Sequence, residues 1–206
     1  PKLRQLYEMA KLIWEILYVQ YLTGNIEDTQ ERIDMFRNRL VKALAYTIPD
    51  FPKTIQEQER RFSHTEIVLL NGYAFACFRK GKRDEAVNIL RMLSGALKSS
   101  LREDIEYYKA EAALYNNKAV MAMRIGRHEL AMDFLNRGIE IARVHGNIYV
   151  LIALMENQAK NYFAIGDKKK GNIIKAAYRS MIRTVSEDEN EALIRESKDG
   201  TVLLVF

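Results

Sequence analysis

The chain has 206 residues, 48% hydrophobic and 29% charged, with a net charge of +5. That is the balance of a globular chain long enough to bury a core. No run of about 18 uncharged apolar residues occurs, which excludes a membrane-spanning helix by sequence. The charge is small and scattered, without basic stripes interleaved with aromatics, so nucleic-acid binding by this segment itself is not expected.

The first 22 residues, PKLRQLYEMAKLIWEILYVQYL, read as an amphipathic helix with charges throughout and not as a signal peptide. The chain opens on Pro1 instead of Met, so it is expected to be a piece of a longer polypeptide. LTGNIEDT at 22–29 turns the chain into a second stripe, Ile33, Phe36, Leu40, Ala43 and Leu44, giving a first helix pair over 1–46. TIPDFP interrupts it, and 47–62 is read as a proline-containing connector.

Three longer units follow, 63–98, 101–145 and 147–184. Ser63 with Glu66, and Ser100 with Glu103, have capping-box spacing. Ile67, Leu70, Ala74, Cys77 and Phe78 form one helical face ahead of Gly81 in RKGKRDEA. Ala112, Tyr115, Ala119, Ala122 and Met123 do the same ahead of Gly126 in RIGRHELA, within a helix expected over 101–124. His145-Gly146-Asn147 closes the second helix of that unit. Ile152, Met155, Ala159, Tyr162 and Phe163 precede Gly166 in AIGDKKKG. In each unit an alanine stands seven residues before the glycine and a bulky apolar residue three before it. Ala86 and Ala131 lie five residues after, followed by Leu90 and Leu135. The third unit has Gly171 at that point, and its later apolar residues slip by one, which makes it the weakest copy. Residues 186–206 are read as a C-terminal helix capped by Ser186 and an apolar tail, TVLLVF, that docks on its own domain or on a neighbouring subunit.

The glycine ends one helix in a left-handed backbone, and the polar residues after it begin an antiparallel partner. Such pairs cannot bury their apolar faces alone, so they stack. The expected fold is all-α: antiparallel helix pairs in a superhelix of eight to ten helices, forming a single domain over 1–206. A compact antiparallel bundle is the rival, but it does not need the repeated pattern around the glycines.

These units resemble tetratricopeptide (TPR) repeats. Gly81-Lys82-Arg83-Asp84-Glu85-Ala86 matches the family's turn, and 114–142 matches a whole repeat. The glycine spacings of 45 and 40 residues exceed the family's usual period of about 34, an excess that longer helices absorb. The order LAYTIPDF, HTEIVLLNGYAFACFRKGKRDEAVNILRML and 114–142 resembles the sensor region of bacterial pheromone-responsive regulators of the Rgg, PlcR and PrgX type. That resemblance covers residues 12–182. It implies a peptide held along a concave surface, a homodimer, a cytoplasmic location and a helix-turn-helix DNA-binding domain, which these residues do not contain.

In standard repeat geometry the inward positions fall ten, six, three and two residues before each glycine. They are Asn71, Phe75, Phe78 and Arg79, then Asn116, Val120, Met123 and Arg124, then Glu156, Lys160 and Phe163, with Ala164 last. An asparagine amide both donates to and accepts from one peptide unit, and an arginine fork takes a carboxylate. These are the candidate peptide-binding residues, with Asn117 and Asn157 one position further round in reserve. The bland alternative is a solvated or packed helix face. The histidines His64, His128 and His145 lack metal-ligand spacing and read as surface or capping residues. The single cysteine, Cys77, reads as a small buried hydrophobe. No phosphate loop or nucleophile arrangement occurs, so neither enzyme activity nor a cofactor or metal is expected. The functional expectation is a peptide-binding sensor and oligomerisation region of a transcription regulator. The alternative is a TPR adaptor that joins proteins without a DNA link.

Overall fold

The computed structural model describes residues 5, 30–48, 50–53, 61–99 and 105–188. They form seven α-helices and no strand: α1 (Gln30–Ala45), α2 (His64–Arg79), α3 (Arg83–Ser99), α4 (Ile105–Arg124), α5 (His128–Val144), α6 (Ile148–Ala164) and α7 (Lys168–Asp188). Seven is fewer than the eight to ten expected. The helix expected over the first 22 residues, the Gly24 turn, the second capping box and the TVLLVF tail lie outside the described residues. The break expected at Ser186 is corrected, since α7 runs through it to Asp188. No proline interrupts that stretch and its one glycine stands in the first turn, so nothing stops the helix earlier.

The helices gather into two compact units that divide between Ala110 and Glu111, inside α4. In the first, α1 packs on α2 and α2 on α3. Ser63 caps α2 as its spacing with Glu66 indicates: its Oγ accepts the Glu66 N–H at 3.3 Å, and its own N–H donates to Glu66 Oε2 at 2.9 Å. Residues 46–48 and 50–53, after α1, form turns and a bend, with Asp50 in the left-handed region at φ 56. Ile48 and Phe51 are buried, and the Phe51 ring meets Tyr73 edge-on at 5.0 Å.

Tyr73 is the polar hub of this unit. It is fully buried, accepts from Arg37 Nη2 at 3.0 Å and donates to Glu85 Oε1 at 2.7 Å, joining α1, α2 and α3. Burial, reinforced by Glu85, pushes the phenol pKa upward, so the hydroxyl stays a donor. Burial alone would raise the Glu85 pKa, but hydrogen bonds from Tyr73 and Lys82 outweigh it and hold the carboxylate below its ordinary range. Cys77 is buried beside them, and burial raises its thiol pKa, as suits an inert core residue.

In the second unit α5 packs on α6 and α6 on α7. Its core joins Ala112, Ala119 and Ala122 of α4, Ala131, Leu135 and Ala142 of α5, and Val150, Leu151 and Leu154 of α6. Gly138 marks a close crossing. A Cβ there would stand 2.8 Å from a Leu154 methyl and 3.2 Å from Tyr115 Cβ.

Four of the helix ends, those of α2, α4, α5 and α6, share one device. Gly81, Gly126, Gly146 and Gly166 have φ of 79, 74, 68 and 83. After Gly126, the Arg127 N–H reaches back to Ala122 O at 2.9 Å, while the Gly126 N–H donates to Met123 O at 3.0 Å. This is the double closure that satisfies the last carbonyls of a helix. Lys82 to Cys77, Asn147 to Ala142 and Asp167 to Tyr162 repeat it at 2.9 Å each. A Cβ on Gly126 would meet nothing within 4 Å, so the cost of Gly126→Ala is all in the backbone. It is expected to lower stability by about 1 kcal/mol, read from urea denaturation midpoints. An unchanged midpoint contradicts the strained turn.

Gly171, the apparent flaw of the third unit, has a local cause. The Phe163 ring sits where its Cβ would be, 2.6 Å away at the nearest atom. The hairpin α6–α7 forms because the ring fills the space that alanine fills elsewhere.

Candidate functional site

The candidate residues belong to the first helix of each pair: α2 in one unit, α4 and α6 in the other. On α2, Asn71 and Phe75 are buried, while Phe78 and Arg79 are half-buried near the helix end. Asn71 is only 3% exposed, and its Oδ1 has no hydrogen-bond partner. A buried acceptor without a donor is uncommon.

On α4, Asn116 and Val120 are fully buried, Met123 is half-buried against the core cluster and Arg124 is exposed. Asn116 does not offer a vacant amide edge: its Oδ1 accepts from Asn157 Nδ2 of α6 at 2.8 Å. On α6, Glu156 is buried and holds Lys160 at 2.5 Å, one helical turn on. Phe163 lies over Gly171 with 38% of its surface still exposed, and Ala164 is exposed. The second unit thus brings Asn116 to α6 through Asn157, not through the aligned Glu156. The exposed or half-buried members of the set are Phe78 and Arg79 in the first unit and Met123, Arg124, Lys160, Phe163 and Ala164 in the second.

Further polar contacts tie these helices together, and sequence reading did not pair them. His128, the first residue of α5, has its Nδ1 2.8 Å from Asn161 Oδ1, and Asn161 Nδ2 donates to the His128 carbonyl at 2.9 Å. Gln158 Nε2 donates to Asn136 Oδ1 at 2.8 Å. The signal was present as Asn116-Asn117 and Glu156-Asn157-Gln158, polar runs inside otherwise apolar helices.

An open groove of about 370 Å³ runs along the last turns of α5, lined by Asn136, Ile139, Glu140, Arg143 and Val144. None of the sequence-derived candidates lines it. Among the described residues no cluster of three or more His, Cys, Asp or Glu side chains gathers, and no helix is long and apolar enough to cross a membrane.

A solved structure resembles this arrangement: the TPR-like repeats of a protein described as a kinesin light chain, from Podosopora anserina. Its TM-score is 0.50 at 14% identity, covering 92% of this chain and 98% of that one. The fold is TPR-like. No family model and no curated protein matches the sequence. In the TPR-like frame α2–α3, α4–α5 and α6–α7 are the helix pairs, each hinged at its left-handed glycine.

Proposed function

We propose that this TPR-like chain binds a short extended peptide or protein segment on the first helix of a pair, with α2 of the first unit as the leading candidate. On this reading it is the sensor and oligomerisation region of a cytoplasmic bacterial transcription regulator, whose DNA-binding domain is not among these residues. The observation that carries peptide binding is Asn71: a carbonyl oxygen, 3% exposed and without a donor, on the helix that ends in half-buried Phe78 and Arg79. A ligand N–H answers that oxygen, Phe78 offers apolar contact, and the Arg79 fork suits a carboxylate. In the second unit Met123, Arg124, Lys160 and Phe163 supply the same mixture of apolar and cationic contact, with Asn116, Val120 and Glu156 as support beneath. The DNA link rests on sequence resemblance alone.

Isothermal titration with short apolar peptides bearing a free carboxylate tests the site. Asn71→Ala and Arg79→Ala are each expected to weaken binding about tenfold, the scale of one lost hydrogen bond to a charged or buried group. Wild-type affinity in both variants removes this site. A reading frame before Pro1 that encodes a helix-turn-helix supports the regulator; more repeats or an unrelated domain there favours an adaptor.

A further inference from the structure

The two hairpin turns of the second unit lie side by side. The His128 and Asn161 contacts place the first turn of α5 against the last turn of α6. Gly126 precedes His128 by two residues, and Ile165 stands one turn beyond Asn161, its N–H donating to the Asn161 carbonyl at 3.1 Å. Each tip carries an isoleucine just before its left-handed glycine: Ile125 is 45% exposed and Ile165 52%, with Leu130 nearby at 40%. Neither turn needs that side chain, because its closure uses backbone groups alone. Cations accompany the isoleucines. Arg127, Lys168 and Lys169 are exposed, and their side chains have no ion-pair or hydrogen-bond partner among the described residues. Asp167 is committed to Lys170, accepting its N–H at 3.0 Å and pairing with its Nζ at 3.3 Å, which leaves exposed Glu129 as the one acid of these two tips beside three cations. The lysines also stand at the positive end of the α7 dipole, in a first turn without an acid, where cations are disfavoured. The first unit's turn differs: Lys80 pairs with Asp34, and Lys82 with Glu85 at 3.3 Å.

We propose that this edge of the second unit rests on an anionic lipid surface. Ile125 and Ile165 enter the boundary between headgroups and acyl chains, while Arg127, Lys168 and Lys169 meet the lipid anions. Isoleucines in water and lysines at the positive end of a helix each cost stability, and a partner both apolar and anionic relieves both. A Cβ on Gly126 or Gly166 would meet nothing within 4 Å, so the tips stand in open space where a flat partner reaches them together. A nucleic-acid backbone would use the cations but leave the isoleucines in water. An extended acidic peptide is better served by a groove, and the groove along α5 lies at the other end of that helix, around Arg143 and Val144. The acidic run EDENE begins at 187, at the far end of α7 and about 30 Å from Lys168. Contact of this kind lies on a bilayer and needs no spanning helix. The inference stands apart from the peptide reading, since it uses no residue of that site.

Vesicle flotation of the whole chain tests it, with phosphatidylcholine alone and with phosphatidylcholine and phosphatidylserine in a two-to-one mixture. Wild type is expected to float with the mixed vesicles only, and less so as salt rises. The double variant Lys168→Gln, Lys169→Gln is expected to bind about twenty-five times more weakly, a factor of five for each cation. Ile125→Ser with Ile165→Ser is expected to lose about tenfold through apolar contact. Arg137→Gln is the control: Arg137 is exposed on α5, nine residues beyond His128, and its loss is expected to leave binding unchanged. Unchanged helical circular dichroism shows that these surface changes leave the fold intact. The lipid edge is wrong if wild type floats with neither vesicle or with both equally, if the tip variants bind like wild type, or if Arg137→Gln loses as much per charge. It is equally wrong if a single-stranded oligonucleotide binds through the lysines with no loss in the isoleucine variant, which makes the edge a phosphate-backbone site. Binding that appears only after deletion of 189–206 makes that segment the occupant of the edge and also overturns the proposal.

Discussion

Ala131→Asp is expected to lower the stability of the second unit by about 4 kcal/mol or more, enough to unfold it under mild denaturant. Ala131 has no exposed surface and lies in the cluster formed by α4, α5 and α6. A carboxylate there has neither water nor a positive partner in that cluster. Ala131 belongs to the first turns of α5, where an acid gains about 2 kcal/mol at most from the helix dipole, too little to compensate. The pH dependence gives a second reading. Burial raises the folded-state pKa of the introduced carboxyl above its unfolded value of about 4. The unfolded chain therefore ionises first, so the deficit grows as pH rises through that range and shrinks below it. Leu130→Asp is the control: Leu130 is 40% exposed, and its substitution is expected to cost little. Equal denaturation midpoints for Ala131→Asp and wild type contradict the close alanine contact.

Ala131 also illustrates what the sequence made legible. The small residue five after the glycine, the alanine seven before it and the glycine itself are local features fixed by helix geometry, and they reappear as buried Ala74, Ala86, Ala119, Ala131 and Ala159. The Ser63–Glu66 box and the His145-Gly146-Asn147 closure are local too; Asn147 additionally caps α6 by accepting the Val150 N–H at 3.3 Å. What was not legible depends on long-range packing. Tyr73, Arg37 and Glu85 are separated by 36 and 12 residues, and no spacing rule joins them. Gly171 reads as a defect until the Phe163 ring is seen to occupy its Cβ site. Ser186 has the side chain of an N-cap, but a cap needs a chain that has left the helix, and α7 has not.

The same distinction governs the candidate site. Counting back from each glycine found the helices that carry polar residues, but one residue turns a helix by about 100°. Asn157, counted as a reserve, therefore faces α4 while the aligned Glu156 holds Lys160. Position within a repeat gives the helix face to within a residue; which side chain is committed to a neighbour is decided by the crossing of two helices.

That commitment yields the second large effect. Asn157→Leu removes the donor to Asn116 Oδ1 while both positions remain fully buried, and it is expected to cost about 2 kcal/mol. Asn116→Leu removes the acceptor of the Asn157 Nδ2 bond and is expected to cost a similar amount. Replacing both removes the donor and the acceptor of this bond together, so the two losses are expected to be less than additive, with a coupling of about 1 kcal/mol between the two sites. Additive losses in a denaturation cycle contradict a structural pair. Peptide titration on the same variants separates the roles. A pair that only holds α4 to α6 leaves affinity unchanged in the folded double variant. A pair that opens to accept a peptide backbone makes that variant folded and unable to bind. The folded leucine pair is the informative protein, because it retains the packing while removing every hydrogen-bonding group that this contact could offer a ligand.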